Sequence, residues 1–189
     1  MPMRTALVAA SNRFDRYSPL DHFPALFAQF AETPASAKGL CEFSDNFGLP
    51  AGSTGDTISE ALDEILMQQA AMRRALALFE NGDAPGLVRQ LRAGQWSSTG
   101  HSGEARLELR LDADGKLGIV IVPSSLIQAM WFQFMLHAAS DAQLFRCEQC
   151  SRPFVVGTHT RRRSTAKYCS GACKTAAFKA RKQGRRINA

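Results

Sequence analysis

A chain of 189 residues can form one ordinary domain and a small appendage. Its apolar content of 45% and charged content of 21% are typical of a globular protein and exclude an extended, highly charged chain. The net charge of +6 is divided unevenly, because residues 147–189 hold eleven basic side chains and one acid, Glu148. This basic end predicts a polyanion partner, although the same charges could serve only to keep the protein soluble.

The first part of the chain combines short apolar segments with turn-forming residues. Pro24 can occupy the first turn of a short helix that continues through Phe30. The segment from Cys41 to Gly55 predicts a loop, because three glycines, a proline and an asparagine interrupt it. Cys41 stands apart from the other cysteines and is expected to be a small buried apolar side chain.

A long helix is predicted from Thr57. Thr57–Glu60 has the sequence of a capping box, and apolar residues then recur at helical spacing as far as Phe79. Asn81-Gly82 ends this helix. A shorter helix begins near Pro85 and reaches about Arg92.

The period then changes from helical spacing to strict alternation. Leu107, Leu109 and Leu111 alternate with charged residues, which predicts a strand with one buried face. A turn containing Asp-Gly follows, and residues 117–122 form the returning strand of a hairpin.

A very apolar helix begins after Pro123 and carries Trp131, Phe134 and His137. Its apolar residues surround the helix axis, so we expect burial on more than one side, with the aromatic residues in the core and His137 as a core histidine. These elements predict an α+β body over residues 1–144, in which helices pack with a small antiparallel hairpin. The helix leads almost directly to the next cysteine, so the following module should dock close to the body.

Four cysteines near the end of the chain form two close pairs, Cys147-x2-Cys150 and Cys169-x3-Cys173. Two such pairs separated by a loop are typical of a tetrahedral zinc site. The beginning of the sequence lacks the pattern of a secretion signal and the chain lacks an apolar run of membrane length, which predicts a cytoplasmic protein with reduced thiols and no membrane partner. A disulfide pair or four ordinary buried thiols are the alternatives to zinc.

The second cysteine pair lies where a helix is expected to begin. Ser170 is a candidate N-cap, and the helix should run to about Gln183. Two sulfurs at a helix N-terminus that face a metal knuckle predict a treble-clef-like finger over residues 145–189. His159 could replace one sulfur, but four cysteines already complete a closed structural site.

The finger also carries a candidate nucleic-acid surface. Basic residues and one aromatic share a face of the last helix, and an arginine triplet lies between the cysteine pairs. The predicted contacts are Arg161, Arg162, Arg163, Lys167, Lys174, Phe178, Arg181, Lys182 and Arg185. Such a surface suits phosphate contacts, with Phe178 available to stack on a base; alternatively, Phe178 anchors the helix to the body.

The finger resembles the CGNR-type zinc fingers of bacteria. The residues that carry the resemblance are Cys147, Cys150, Phe154, Lys167-Tyr168-Cys169-Ser170, Cys173 and Arg181. The tetrad that names the family is absent, since this chain has Cys173-Lys174-Thr175-Ala176. In this family a finger follows an ABATE-type domain, described as belonging to stress-induced transcription regulators. The resemblance implies a bacterial protein whose body is a sensing or interaction unit and whose finger binds nucleic acid.

No familiar catalytic motif occurs, neither a Gly-rich phosphate loop nor a Gly-x-Ser-x-Gly or His-Glu-x-x-His pattern. The sequence therefore predicts a non-enzymatic, cytoplasmic, DNA-binding transcription regulator with one structural zinc. A zinc-stapled protein-interaction module and an RNA-binding protein are the alternatives, with DNA favoured over RNA. One finger contacts few bases, so specific binding would require a homodimer or another partner. The pattern indicates neither a target sequence nor a small-molecule effector.

Overall fold

The computed structural model describes residues 6–8, 23, 25–48, 50, 59–92, 106–111, 115–157 and 165–187. These ranges form an α+β structure with six helices and three two-stranded antiparallel sheets, as predicted for the class. The helices are α1 (Leu26–Glu32), α2 (Ala37–Phe47), α3 (Leu62–Glu80), α4 (Ala84–Arg92), α5 (Leu126–Ala138) and α6 (Gly171–Ile187). The strands are β1 (Ala6–Val8), β2 (Ser59–Ala61), β3 (Arg106–Leu111), β4 (Leu117–Val122), β5 (Gln143–Arg146) and β6 (Pro153–Val156).

The short helix α1 lies at the centre of the core. Leu26, Phe27 and Phe30 are completely buried, and α1 packs against both α3 and α5. Met72 of α3 and Phe134 of α5 are also fully buried in the same cluster. The predicted helix after residue 24 is therefore confirmed.

Buried amides satisfy the backbone groups that α1 leaves open at its C-terminal end. Gln69 donates from Nε2 to the carbonyls of Phe30 and Thr33, at 2.8 and 2.9 Å. The last carbonyls of a helix have no partner within the helix, so these bonds remove the cost of burying that end. The indole N–H of Trp131 donates to Gln68 at 3.1 Å, which joins α5 to α3.

The loop predicted from Cys41 to Gly55 is wrong over its first part, because α2 continues to Phe47. Ser36 caps this helix by accepting a hydrogen bond from the N–H of Gly39 at 3.2 Å. The turn-forming residues lie at the end of the helix, where Gly48 has φ of 87°.

Cys41 is exposed, so the expectation that it would be buried is also wrong. Leu40 and Phe43 occupy the core side of α2. Cys41 falls outside this apolar stripe, because residues one and two positions away lie on another part of a helix surface.

The helix α3 begins at Leu62 rather than at Thr57. Ser59 and Glu60 belong to β2, which pairs with Val8 and Leu7 of β1. Backbone pairing with a distant strand thus takes the place of the local capping box, and Thr57 itself lies outside the described residues. The predicted ends of α3 near residue 80 and of α4 at residue 92 are confirmed.

The β3–β4 hairpin forms in the predicted place, but its burial differs from the prediction. Its leucine-rich face is 67–73% exposed at Leu107, Leu109, Leu111, Leu117 and Ile119. None of these five side chains belongs to the hydrophobic clusters of the described residues. The leucines therefore share one face of the hairpin, as the alternation predicts. No other element of the described part of the chain buries that face.

The apolar helix α5 is buried as predicted. Trp131 and Phe134 belong to the core, and His137 lies between the rings of Phe27 and Phe79, with centroids at 5.5 and 5.2 Å. Of the helices in the described ranges, none has the length and apolar character needed to cross a membrane.

Candidate metal centre and basic helix

The β5–β6 hairpin positions the cysteines between the body and the basic helix. All four residues of β6 are buried. Val155 belongs to the core of the body, whereas Phe154 and Val156 join Cys147 in a second, small cluster. Because neighbouring strand residues point to opposite faces, one strand contributes to both clusters. The finger therefore lies close against the body, as expected. The predicted domain boundary at residue 145 stays a prediction.

A tight turn brings the first cysteine pair together. The N–H of Cys147 donates to the carbonyl of Arg152 at 3.0 Å, and the N–H of Ser151 donates to the carbonyl of Cys147 at 2.9 Å. Ser151 has φ of 59°, a left-handed conformation that few residues other than glycine adopt. This reversal places Cys150 beside the end of β5.

The second pair lies at the start of α6. The Oγ of Ser170 accepts a hydrogen bond from the N–H of Cys173 at 3.1 Å, and its carbonyl accepts from the N–H of Lys174 at 3.1 Å. Ser170 is therefore the N-cap, as predicted. The helix continues to Ile187, beyond the predicted end near residue 183.

The four predicted metal ligands come together. The sulfurs of Cys147, Cys150, Cys169 and Cys173 all lie within 4.8 Å of one another. Cys169 Sγ is 3.5 Å from Cys150 Sγ and 3.5 Å from Cys173 Sγ, and all four residues are free thiols. This cluster could hold a metal ion. The treble-clef-like description of the surrounding finger stays a prediction.

The thiols of the cluster differ strongly in acidity. Burial acts to raise the pKa of Cys147, but hydrogen bonds from the backbone at Cys169, Cys150 and Gln149 outweigh it and lower the pKa to about 6. Burial raises the pKa of Cys169 to about 12, with further contributions from hydrogen bonds to the other three thiols. Several thiolates cannot share so small a volume unless a cation compensates them, and a coordinated metal ion would supply that charge.

A second set of contacts joins the two halves of the finger. The N–H of Glu148 donates to the carbonyl of Lys167 at 3.0 Å, and the two side chains form an ion pair at 3.1 Å. The hydrogen bond from Lys167 lowers the pKa of Glu148. The guanidinium of Arg181 donates to the hydroxyl of Tyr168 at 3.3 Å, which ties α6 to the segment before it.

The basic helix presents the predicted face to solvent. Lys174, Phe178, Arg181 and Lys182 are all exposed on α6, at positions that lie on one side of a helix. Phe178 is 62% exposed, so the alternative in which it anchors the helix to the body is wrong. A large aromatic side chain therefore lies among solvent-facing cations.

The remaining predicted contacts have different positions. The triplet 161–163 and His159 lie outside the described residues, and Arg185 belongs to α6 with only its backbone described. Lys167 is exposed but its charge is compensated by Glu148. It is therefore less available to a phosphate than the lysines of α6.

Sequence reasoning missed two features of this site. The strands β5 and β6 were not predicted, although the apolar run 154–156 lies between Pro153 and Gly157, the bounds typical of a short buried strand. The contacts of Glu148 with Lys167 and of Tyr168 with Arg181 have no local pattern, because they depend on the tertiary fold.

Comparisons of this chain with models of protein families and with curated proteins gave no match. The resemblance to CGNR-type fingers therefore stays a prediction from the motif residues.

Proposed function

We propose that this protein is a DNA-binding transcription regulator whose finger folds around one zinc ion. The observation that carries the proposal is the position of the four-sulfur cluster at the first turn of α6, whose exposed face combines Lys174, Phe178, Arg181 and Lys182. The cluster would fix the helix, and the helix would contact the nucleic acid.

Zinc fits the donor set and the distances. A tetrahedral site with zinc–sulfur bonds of about 2.3 Å separates its sulfurs by about 3.8 Å. The observed separations of 3.5 Å for two pairs and at most 4.8 Å for all pairs require only small movements of the side chains. Four thiolates favour zinc over hard cations such as Mg²⁺ and Ca²⁺. Such a closed site has a structural role, because it leaves no coordination position for a substrate.

The size of the finger explains why it would need a metal. Among the described residues, its own cluster contains three buried side chains, Cys147, Phe154 and Val156, with a few partly buried ones packed against them. A core of this size cannot compensate the conformational entropy of more than thirty ordered residues, by the order of magnitude known for small domains. Metal binding would supply the missing free energy of folding.

Charge supports a nucleic-acid ligand. The sequence of α6 contains six basic residues and no acidic one. A helix of this kind gains affinity for phosphates through counterion release, and an α-helix fits the major groove of duplex DNA. The resemblance to CGNR-type fingers supports a regulatory role in a bacterium.

The test is a binding titration of the full-length protein with a labelled DNA duplex, followed by fluorescence anisotropy. If α6 makes about four phosphate contacts, the dissociation constant should rise about a hundredfold between about 50 and 200 mM salt. Lys174→Gln and Lys182→Gln should each weaken binding and reduce the salt dependence by about one phosphate contact. Lys38→Gln, which removes an exposed lysine of α2, is the matched control and should have no effect.

Two results would change the proposal. The absence of binding at low salt would contradict it and favour a zinc-stapled protein-interaction module. Preferential binding of RNA or single-stranded DNA, abolished by Phe178→Ala, would replace duplex binding by recognition through base stacking.

A further inference from the structure

The β3–β4 hairpin has one face made entirely of aliphatic side chains. Leu109 pairs with Ile119 and Leu111 pairs with Leu117, while Leu107 lies two residues before Leu109 in β3. We call these five residues the aliphatic face. They are 67–73% exposed, and none of them carries a polar atom in its side chain.

The opposite face of the hairpin carries charged residues on β3, and valines pair with two of them on β4. Glu108 and Arg110 form an ion pair at 2.6 Å, and their side chains are 35% and 57% exposed. The leucines are thus more exposed than the charged residues between them. A sheet with an aliphatic face this exposed gains free energy when another apolar surface covers that face.

The area of the face is sufficient for a specific interface. Each of the five side chains can bury roughly 100 Å² of apolar surface, by the usual relation between area and transfer free energy. Two copies would then bury about 1,000 Å² in total, near the lower bound for a specific protein–protein interface.

We propose that the aliphatic face is the interface of a homodimer. A surface without charges or hydrogen-bonding side chains requires an equally apolar partner, and a second copy provides one through two-fold symmetry. Elsewhere in the described ranges, the large exposed apolar residues are single positions on four different helices, namely Met67, Val88, Leu136 and Phe178.

The dimer has a simple geometry. The two hairpins pack face to face at about 10 Å, the ordinary distance between stacked sheets, and form a four-stranded sandwich. This packing also stabilises each hairpin, since an isolated two-stranded sheet is marginal in water. The proposal does not depend on nucleic-acid binding, because the face belongs to the body and contains no residue of the finger.

The test is sedimentation velocity of the full-length, zinc-loaded protein from about 1 to about 100 μM, without nucleic acid, a range in which a moderate dimer dissociates. The wild type should change from monomer to dimer with concentration. Leu109→Lys buries two unpaired charges per dimer and should raise the dissociation constant by about a hundredfold or more. Ile119→Thr keeps a β-branched residue in the strand and should weaken the dimer less strongly.

Leu136→Lys is the matched control, because it changes a single leucine of α5 that is 62% exposed. It should leave the dimer unchanged. A wild type that remains monomeric up to the highest concentration would overturn the proposal, and so would a dimer that persists in both hairpin variants. If Leu109→Lys lost its circular dichroism spectrum, Ile119→Thr would decide between these outcomes.

Discussion

The hairpins β3–β4 and β5–β6 are both two-stranded and antiparallel, yet their apolar side chains have opposite surroundings. Every residue of β6 is buried, whereas Leu107 and Leu109 of β3 are each 72% exposed. The difference arises from neighbours, because β6 lies between the core of the body and the cluster of the finger. Alternation in a sequence thus specifies which face of a strand is apolar and leaves open what covers that face.

The β5–β6 hairpin is held in place by two different sets of contacts, one on each face. The finger side of β5–β6 packs with cysteines of the four-cysteine cluster, whereas its body side packs against the hydrophobic core. Substitutions that remove one set of contacts at a time should therefore show how much each set contributes to stability.

The largest effect is expected from Cys147→Ser. If the cluster holds zinc as proposed, loss of one ligand removes a large part of a binding free energy that is on the order of 10 kcal/mol for structural zinc. The finger should unfold while the helices of the body persist. The measurements are zinc content by mass spectrometry and limited proteolysis, which should cut the variant within residues 147–187.

Cys41→Ser is the matched control for this prediction. Cys41 is an exposed thiol on α2 outside the cluster, so its loss should leave one zinc per chain and an intact finger. Unchanged zinc content and stability in Cys147→Ser would contradict the assignment of the ligands.

A smaller effect should distinguish the two hairpins directly. Val155→Ala removes two methyl groups from a site that is 4% exposed and should lower the free energy of unfolding by about 2 kcal/mol. In dilute protein, Leu109→Ala should change the free energy of unfolding by less than about 0.5 kcal/mol, because Leu109 is exposed in the single chain. Chemical denaturation at low protein concentration measures both. Equal losses in the two variants would show that β3 is covered within a single chain.

The smallest effect is a pH dependence of the body. Burial lowers the pKa of His137 below its ordinary value of 6.5, and neither ring nitrogen has a hydrogen-bond partner among the described residues. The folded protein therefore keeps this ring neutral while the unfolded chain takes up a proton. The contribution of His137 is fully favourable above about pH 6.5 and is lost as the pH falls toward the lowered pKa, with a slope of at most about 1.4 kcal/mol per pH unit.

His137→Leu should remove this part of the pH dependence. The measurement is the free energy of unfolding between about pH 5 and 7.5 for the wild type and the variant, and the expected signal is the difference between their slopes. Parallel curves would show that His137 does not titrate differently in the folded and unfolded states.

Local patterns predicted the features that depend on local chemistry. The pairs of cysteines, the N-cap at Ser170 and the alternation of β3 follow from residue types at fixed spacing, and all three occur in the structure. The errors lie where distant parts of the chain meet. The capping box at Thr57–Glu60 gave way to pairing of β2 with β1, and the turn formers near Gly48 concealed a helix that Leu40 and Phe43 hold against the core.

The candidate site likewise has features that the sequence predicts and features that only the tertiary structure shows. Its four sulfurs could be chosen from spacing, whereas the ion pair of Glu148 with Lys167 and the exposure of Phe178 could not. The ion pair depends on how the turn after β5 meets the segment before α6. The hydrophobic run of β6 was visible in the sequence, but its division between two clusters required knowledge of both neighbours.

The shared strand β6 has a consequence for orientation. Val155 faces the body and its neighbours Phe154 and Val156 face the finger, so no flexible tether separates the two packing units at this point. The four-cysteine cluster and the hydrogen bond from Arg181 to Tyr168 then connect α6 to this packed strand. In an assembly of two copies, the separation of the two α6 helices would be a fixed distance, and simultaneous attachment of both would depend on matching spacing in the ligand.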